Sequence, residues 1–409
     1  MAVRLSSIAV SDLCIGKPAL RSLSAGSATV ADALSALKRF DESYISVWSC
    51  DHSVRKRKAA AGVSDIDQDS SCRCIGRVCM VDIICFLCKE ENLLNPASAL
   101  QSPVSVLLSK DSGLVRHLEP SASLLTAIDV MLEGAQNVVI PRPQRQKFAQ
   151  RASLKSTFHN DREYCWLTQE DIIRYFLNCV GLVSPTPNHP INSLNIINHA
   201  DVLAVGYDDP AVSALPLIAQ AYVKQTSVAI VDEGGKLVGD ISPLSLNSCD
   251  ETVAAAIKTL SAGDLMAYMD CGRPPKDLVK LVKKRLEEKN MGALLGLLED
   301  DSGISSSSSN SSSSDEDSST GSGRSGRSRG HSARAVSTSD AIVCHPWSSL
   351  MAVIMQALAR RVNYVWVVEE DCTLTGIVNF TGMLRVFRER LRPMAEAENP
   401  HLNHTPIHA

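Results

Sequence analysis

The sequence contains no long apolar run and no strong excess of either charge. Nothing in its 409 residues approaches the roughly 18 consecutive apolar residues of a membrane-spanning helix. The formal net charge is −4, so composition gives no reason to expect a nucleic-acid partner. The N-terminus lacks a charged segment followed by an apolar core, and a repeated unit begins near Val10, which leaves little room for a cleaved transit peptide. We therefore expect no membrane association and a cytoplasmic or nuclear location, or both.

Motifs that would indicate catalysis are also missing. The chain has no phosphate-binding P-loop, no Gly-x-Ser-x-Gly, no paired Cys/His cluster and no dinucleotide fingerprint. These absences predict a protein that is not an enzyme and that requires no cofactor.

The cysteines suit a reducing compartment. Five of the thirteen lie on one predicted hairpin strand and the helix after it: Cys72, Cys74, Cys79, Cys85 and Cys88. Cys85 and Cys88 have the spacing of a redox or zinc pair. Because no second such pair and no neighbouring His completes a tetrahedral site, we favour small buried core residues. Metal or redox chemistry is the alternative, and we assign no metal ligand.

The segment 339–391 shows the organising unit of the chain. A short strand over 341–344 leads to Pro346 and Ser348, which suit a helix start. Apolar residues then recur at helical spacing: Leu350, Val353, Ile354, Ala357 and Leu358. Strands over 364–368 and 374–378 flank an acidic turn, and an amphipathic helix follows over 380–390. The pattern predicts strand, helix, hairpin and helix.

The same unit occurs four times, and this repetition decides the fold. The predicted central strands are 44–48, 138–140, 228–231 and 364–368. The third helix is predicted to bury Val212, Leu215 and Ile218. In each copy the helix begins roughly 15 residues before the central strand, as a crossover in a short α/β unit requires. We therefore predict an α/β (α+β) protein built from four βαββα repeats.

The repeats resemble a known family. After the second hairpin strand comes Gly-x-hydrophobic-x-x-x-Asp-hydrophobic-hydrophobic, or a variant of it, over 76–84, 239–246 and 376–384. This pattern resembles the CBS domain, and four copies with a Ser-rich insert before the last are similar to the four-repeat form of the plant CBSX family. The resemblance implies two tandem CBS-pair (Bateman) modules, each made of two repeats that pack through their sheets, and we expect the two modules to stack into a disc.

A hydrophobic content of 44% supplies enough apolar surface for more than one core. The first CBS pair is predicted at 10–182, with repeats 10–90 and 103–182 and basic inserts 51–71 and 142–163, and an extended Pro-rich linker follows at 183–191. The second pair is predicted at 192–391, with repeats 192–250 and 261–391. Helices over 274–300 and a disordered insert 302–339 interrupt the last repeat, and 392–409 is predicted to be a flexible tail. The basic inserts are expected to be solvated loops, or alternatively to form one basic surface.

The insert 302–339 is dominated by serine and cannot bury apolar surface. Ser314 precedes three acidic residues, whereas Ser332 and Ser337 each follow an Arg by three positions. These contexts suit acid-directed and base-directed kinases, so we predict phosphorylation at the three serines. A passive tether is the alternative.

The resemblance implies that a cleft between paired repeats holds an adenosine compound such as AMP, ADP, ATP or S-adenosylmethionine. In the family a Ser or Thr three residues before an Asp contacts phosphate and ribose, and a carboxylate can accept two hydrogen bonds from vicinal hydroxyls. Repeat two matches fully through Thr168 and Asp171. Repeat one keeps Asp82 and repeat three keeps Ser242. The remaining equivalent positions hold other residues: Cys79, Ser245, Asn379 and Gly382. Helix capping is the alternative role of Thr168 and Asp171.

Three functions follow from the resemblance. The first is an adenosine-nucleotide sensor that modulates a partner, with a kinase or a thioredoxin-type protein suggested by relatives. The second is a gamma-like regulatory subunit of an AMP-activated-type protein kinase, and the third is a CBS scaffold that no longer binds nucleotide. A homodimer stays open as a further assembly.

Overall fold

The computed structural model describes residues 8–40, 43–50, 72–108, 113–142, 159, 162–179, 181, 185–270, 274–300 and 341–398. These residues form four separate three-stranded sheets. In every sheet the central strand pairs parallel with the strand before it and antiparallel with the strand after it. This confirms the predicted mixed α/β fold and its four repeats.

The first two repeats have the following elements. Repeat one comprises α1 (Val10–Leu13), β1 (Ser22–Ser24), α2 (Val30–Phe40), β2 (Ile45–Trp48), β3 (Cys74–Val78) and α3 (Met80–Leu87). Two short helices, α4 (Glu90–Leu93) and α5 (Pro96–Leu100), lead away from it. Repeat two comprises β4 (Val115–His117), α6 (Leu124–Leu132), β5 (Asn137–Pro141), β6 (Tyr164–Thr168) and α7 (Gln169–Asn178).

The last two repeats enclose a helical segment. Repeat three comprises β7 (Leu203–Gly206), α8 (Ala211–Lys224), β8 (Val228–Val231), β9 (Leu237–Ile241) and α9 (Pro243–Leu246). Helices α10 (Val253–Thr259), α11 (Ala262–Asp270), α12 (Lys276–Glu288) and α13 (Gly292–Asp300) follow. Repeat four comprises β10 (Val343–Cys344), α14 (Leu350–Arg360), β11 (Tyr364–Val368), β12 (Leu374–Asn379) and α15 (Phe380–Glu398).

The sheets pack against one another in pairs. Repeats one and two share a cluster that includes Trp48, Val139 and Tyr164, and repeats three and four share one that includes Ala229 and Trp366. Every residue of β2, β5 and β11 is buried. Central strands covered on both faces, by a partner sheet and by helices, explain the continuous apolar runs in the sequence.

The helices then join the two pairs. Helices of repeats one and three share one core, whereas helices of repeats two and four share another. In the second core the rings of Phe176 and Phe387 stack with centroids 4.4 Å apart. The arrangement places all four repeats around one centre.

Three local expectations differ from the structure. In α8 the buried positions are Ala211, Ala214, Ile218 and Ala221, while Val212 is exposed. Small alanines and Ile218 therefore form the buried face, and Leu215 packs against it while partly buried. The cap of α14 is Ser349, one residue after the expected start.

The third difference concerns the linker, whose described part is not simply extended. It contains a 3-10 turn over Thr186–Asn188, and the Leu350 amide donates to the His189 carbonyl at 3.0 Å. The linker therefore packs against the start of α14.

Several predictions fall outside the described residues. These are the serine insert with Ser314, Ser332 and Ser337, residues 51–71, most of 142–163 and residues 399–409 of the predicted tail. Within the described part, no helix is both long and apolar enough to cross a bilayer.

Candidate functional site

Thr168 and Asp171 lie together at the start of α7. The Thr168 amide and Oγ1 both donate to Asp171 Oδ2 at 2.7 Å, and the Asp171 amide donates back to Thr168 Oγ1 at 3.4 Å. This reciprocal pattern is a capping box. Thr168 and Asp171, which the family resemblance implies as ligand contacts, therefore cap α7, and capping is the alternative role given in the sequence analysis. The cap also holds both side chains in place.

A lysine from the first repeat reaches the same carboxylate. Lys17 Nζ donates to Asp171 Oδ2 at 2.5 Å and to the Trp166 carbonyl at 2.8 Å. Both charged side chains are about one-fifth exposed, at 21% and 23%. Asp171 thus sits at the contact between repeats one and two, paired with Lys17 of repeat one.

A large cavity opens at the centre of the four repeats. It has a volume of about 650 Å³ and receives side chains from every repeat. Three of its lining residues are arginines, namely Arg77, Arg174 and Arg361, and the wall also includes Thr168 at the start of α7. Glu170 is the acidic residue of the lining and pairs with Arg174. The excess of cations and the helix N-terminus make the cavity suited to an anion.

A smaller recess of about 200 Å³ adjoins this cavity and shares Ser43 and Tyr44 with it. The recess is otherwise formed by residues 17–20 and Trp166. Its walls are therefore largely apolar and aromatic, apart from Lys17. A flat heterocycle fits this kind of surface, since an aromatic face provides stacking area.

Arg77 is the most deeply buried of the three arginines, at 7% exposed. Its two terminal nitrogens donate to Asn137 Oδ1 and Gln136 Oε1 of repeat two. The guanidinium also lies 4.1 Å from the centre of the Tyr44 ring and 5.2 Å from that of Tyr222 in repeat three. Arg77 therefore connects three repeats at the cavity wall. The sequence analysis missed it, although an Arg between Gly76 and Val78 in a predicted core strand was a usable signal.

Asp82 occupies the position in repeat one that corresponds to Asp171. Its Oδ2 accepts from the Cys79 amide at 2.8 Å and from the Tyr222 hydroxyl at 3.4 Å. Burial raises the pKa of the Asp82 carboxyl to about 6. Cys79 supplies no hydroxyl here, and burial raises the pKa of its thiol well above the ordinary value.

The second module places caps at the equivalent positions. Ser242 is 2% exposed, and its Oγ accepts from the Leu244 amide at 3.1 Å. In repeat four, Asn379 Oδ1 accepts from the Gly382 amide at 3.0 Å. Neither Ser245 nor Gly382 offers a carboxylate, so this module lacks the ribose-binding group at both positions.

Two of the five clustered cysteines form the CxxC pair at the C-terminal end of α3. Burial raises the pKa of both the Cys85 and the Cys88 thiol to about 12, which suits inert core residues. Cys72 has different surroundings, because its Sγ lies within 4.8 Å of Cys50 Sγ and a His159 ring nitrogen. The sequence analysis did not associate His159 or Cys50 with this cluster.

The architecture agrees with a solved structure. Protein MJ1225 from Methanocaldococcus jannaschii, which has been proposed as an archaeal homologue of γ-AMPK, superposes with a TM-score of 0.54. The match covers 93% of the chain and all of MJ1225 at 14% sequence identity, so it shows the fold. Four βαββα repeats, paired through their sheets and arranged around a central cavity, define a protein with four CBS domains.

Comparisons of sequence identify the family. No protein-family model matches the chain. The chain is 44% identical over 403 residues to the CBS domain-containing protein CBSX5 of Arabidopsis thaliana, and the match covers 96% of the chain and 99% of that protein. The chain therefore belongs to the CBSX family of CBS domain-containing proteins. Identity to Arabidopsis CBSX6 is 26%, with 92% of each protein covered.

A more distant relative is a kinase subunit. The SNF1-related protein kinase regulatory subunit gamma-like PV42b of Arabidopsis is 22% identical over 319 residues, which cover 78% of the chain and 76% of that protein.

Proposed function

We propose that the chain is a non-catalytic regulatory protein that binds an adenosine nucleotide between its repeats and thereby modulates a partner protein. The central cavity of about 650 Å³ with its three arginines carries this proposal. A cavity of this size is within the range of small-molecule sites, and its charge favours a phosphorylated ligand. The regulatory role is the one expected of four CBS domains with no catalytic motif.

The central cavity and the adjoining recess would each hold one part of the nucleotide. Phosphate groups would pair with Arg174 and Arg361 in the larger cavity, near the N-terminus of α7. Adenine would enter the recess beside Tyr44 and Trp166. Asp171 lies beside the recess through its contact with Lys17, and it would accept from the ribose hydroxyls once Lys17 has turned away.

Isothermal titration with AMP, ADP, ATP and S-adenosylmethionine tests the proposal. We expect saturable binding that Arg361→Asn and Asp171→Asn each weaken by roughly tenfold or more, the amount for a lost charge-assisted hydrogen bond. Asn suits position 361 because the backbone there is left-handed, with φ 57°, and it keeps an acceptor at position 171. Arg360→Gln is the matched control, since Arg360 does not line the central cavity.

The outcome has a clear alternative. If folded protein takes up none of the four ligands at roughly millimolar concentration, nucleotide sensing is wrong and the chain is a CBS scaffold. If Arg361→Asn, Asp171→Asn and Arg360→Gln all bind nucleotide with the same affinity as wild type, the nucleotide binds elsewhere in the molecule.

A gamma-like subunit of an AMP-activated-type kinase is the second candidate, because PV42b is a relative over three-quarters of its length. Co-expression with the catalytic and beta subunits of such a kinase tests it. Recovery of a stable ternary complex would support this function. If the chain elutes separately from the two kinase subunits, this function is wrong and the partner is a different protein. A cytoplasmic or nuclear location is also proposed, and a fluorescent fusion in plant cells would examine it.

A further inference from the structure

Cys50, Cys72 and His159 bring three metal-binding side chains together across the contact between repeats one and two. Their ligand atoms all lie within 4.8 Å of one another, and Cys50 Sγ is 3.1 Å from His159 Nδ1. Cys50 and His159 are 109 residues apart in the chain, so the fold alone creates this cluster. We propose that Cys50, Cys72 and His159 bind one zinc ion.

The backbone brings the two cysteines opposite each other. Trp48 of β2 pairs with Cys74 of β3, and beyond this pair the Ser49 amide donates to the Arg73 carbonyl at 3.0 Å. Continuing the antiparallel register by one step places Cys50 opposite Cys72. The two thiols therefore stand directly before and directly after residues 51–71.

The histidine is held with one nitrogen directed at the thiols. Its ring stacks on Trp48, with centroids 3.7 Å apart and planes 4° from parallel. His159 Nε2 lies 3.0 Å from Ser22 Oγ, which fits donation from Nε2–H to the hydroxyl. Nδ1 then keeps its lone pair on the side of Cys50. A hydrogen bond to the second nitrogen is the usual way to fix a metal-binding imidazole.

The donor types fit zinc, and the three ligand atoms lie close enough together to converge on one ion. With Zn–S of about 2.3 Å and Zn–N of about 2.0–2.1 Å, tetrahedral ligands are separated by about 3.5–3.8 Å. The Sγ–Nδ1 distance of 3.1 Å needs an adjustment of about half an ångström to reach this range. Two thiolates and an imidazole are donors that zinc accepts, and the fourth coordination position is available to water.

The site is partly shielded. His159 and Cys72 are buried at 3% and 6% exposed, while Cys50 is half-buried. Trp48 covers the ring of His159. An ion here would join Cys50 and Cys72 of repeat one to His159 of repeat two, so its binding free energy would contribute to the stability of the first module.

Titration of the full-length reduced protein with Zn²⁺, and with Co²⁺ as a spectroscopic probe, tests the proposal. We expect one metal ion per chain and a cobalt spectrum with thiolate-to-metal charge transfer. Cys72→Ser and His159→Gln should each weaken binding by more than the roughly 10- to 100-fold that loss of an outer-shell partner costs. Ser22→Ala should fall within that smaller range.

Controls separate this site from the other cysteines and from misfolding. Cys372→Ser, at an exposed cysteine, and Cys85→Ser, in the CxxC pair, should leave the metal stoichiometry and affinity unchanged. Circular dichroism and the melting temperature without metal would show that each variant folds. Zinc should then raise the melting temperature of the wild type but not that of the folded His159→Gln variant.

Three results would overturn the proposal. These are loss of binding in Cys85→Ser but not in Cys72→Ser, absence of binding by folded reduced wild type, and mass spectrometry that finds a Cys50–Cys72 disulfide in protein whose reduced form takes up no metal.

Discussion

The Tyr222 hydroxyl of repeat three lies 3.4 Å from Asp82 Oδ2 of repeat one, so the second module contacts the carboxylate that corresponds to Asp171. Tyr222 also faces the guanidinium of Arg77, and its carbonyl accepts from Gln136 Nε2 at 3.0 Å. One tyrosine therefore contacts repeats one and two at once. A change in the ionisation of Asp82 would therefore alter its contact with Tyr222 between the modules.

Asp82 should make the protein less stable as pH rises from about 4 to about 6. Burial raises the pKa of its carboxyl from 3.8 to about 6. In this pH range the folded state retains a proton that the unfolded state releases, so the free energy of unfolding falls as pH increases. Asp82→Asn cannot ionise and should gain up to about 3 kcal/mol relative to wild type across the range.

Urea unfolding at a series of pH values measures this difference, with Asp208→Asn at an exposed position as the control. A constant difference between Asp82→Asn and wild type from pH 4 to 6 would contradict the assignment. Burial also raises the pKa of the Asp240 carboxyl, so Asp240 changes the stability with pH in the same direction as Asp82. Because Asp240 is present in both wild type and Asp82→Asn, its effect cancels from the difference between them.

Arg77→Met should destabilise the protein by about 2–4 kcal/mol, because Gln136 Oε1 and Asn137 Oδ1 would lose their donor in a buried setting. Met retains much of the apolar stem of the arginine but not the guanidinium that lies over the Tyr44 ring. Denaturant unfolding measures the change, and Arg116→Met on the exposed side of β4 is the control. Stability equal to wild type would mean that the cost of burying the cation offsets its hydrogen bonds.

The fold could be predicted from the sequence because the repeat appears four times, and the predicted central strands are apolar apart from Ser46 in the first. Thr168 and Asp171 were found for a related reason, since they belong to a local motif. Arg77, Arg361 and His159 were not found, because their roles depend on contacts between residues distant in the chain. His159 in particular meets Cys50 only after two sheets have packed. Local pattern carries no information about such a contact.

Gly376→Ala should be more damaging than Gly76→Ala, although both glycines occupy the same place in the repeat motif. A Cβ at Gly376 would lie 2.6 Å from Ile197 Cγ2 and 3.1 Å from the Asn198 carbonyl oxygen. That carbonyl accepts from the Ile377 amide at 3.0 Å, so it cannot move without weakening the contact.

At Gly76 the nearest atoms belong to the flexible end of Leu108 alone. We expect a loss of about 1–3 kcal/mol for Gly376→Ala and a smaller loss for Gly76→Ala. Gly113→Ala has nothing within 4 Å of the added carbon and serves as the control for thermal unfolding. The reverse order of the two losses would contradict the close approach at Gly376.

The ion pair between Arg388 and Asp129 should stabilise the contact between repeats two and four. Arg388 Nε and Nη2 donate to the two carboxylate oxygens at 2.5 and 3.0 Å, and this paired geometry is more favourable than a single contact. The side chains are 27% and 44% exposed, so solvent screening limits the gain to about 0.5–1 kcal/mol. A double-mutant cycle with Arg388→Gln and Asp129→Asn measures the coupling by urea unfolding. The exposed pair of Arg174 and Glu170 within α7 provides the comparison: coupling at Arg388 that is no larger than coupling there would show that the pair does not hold the modules together.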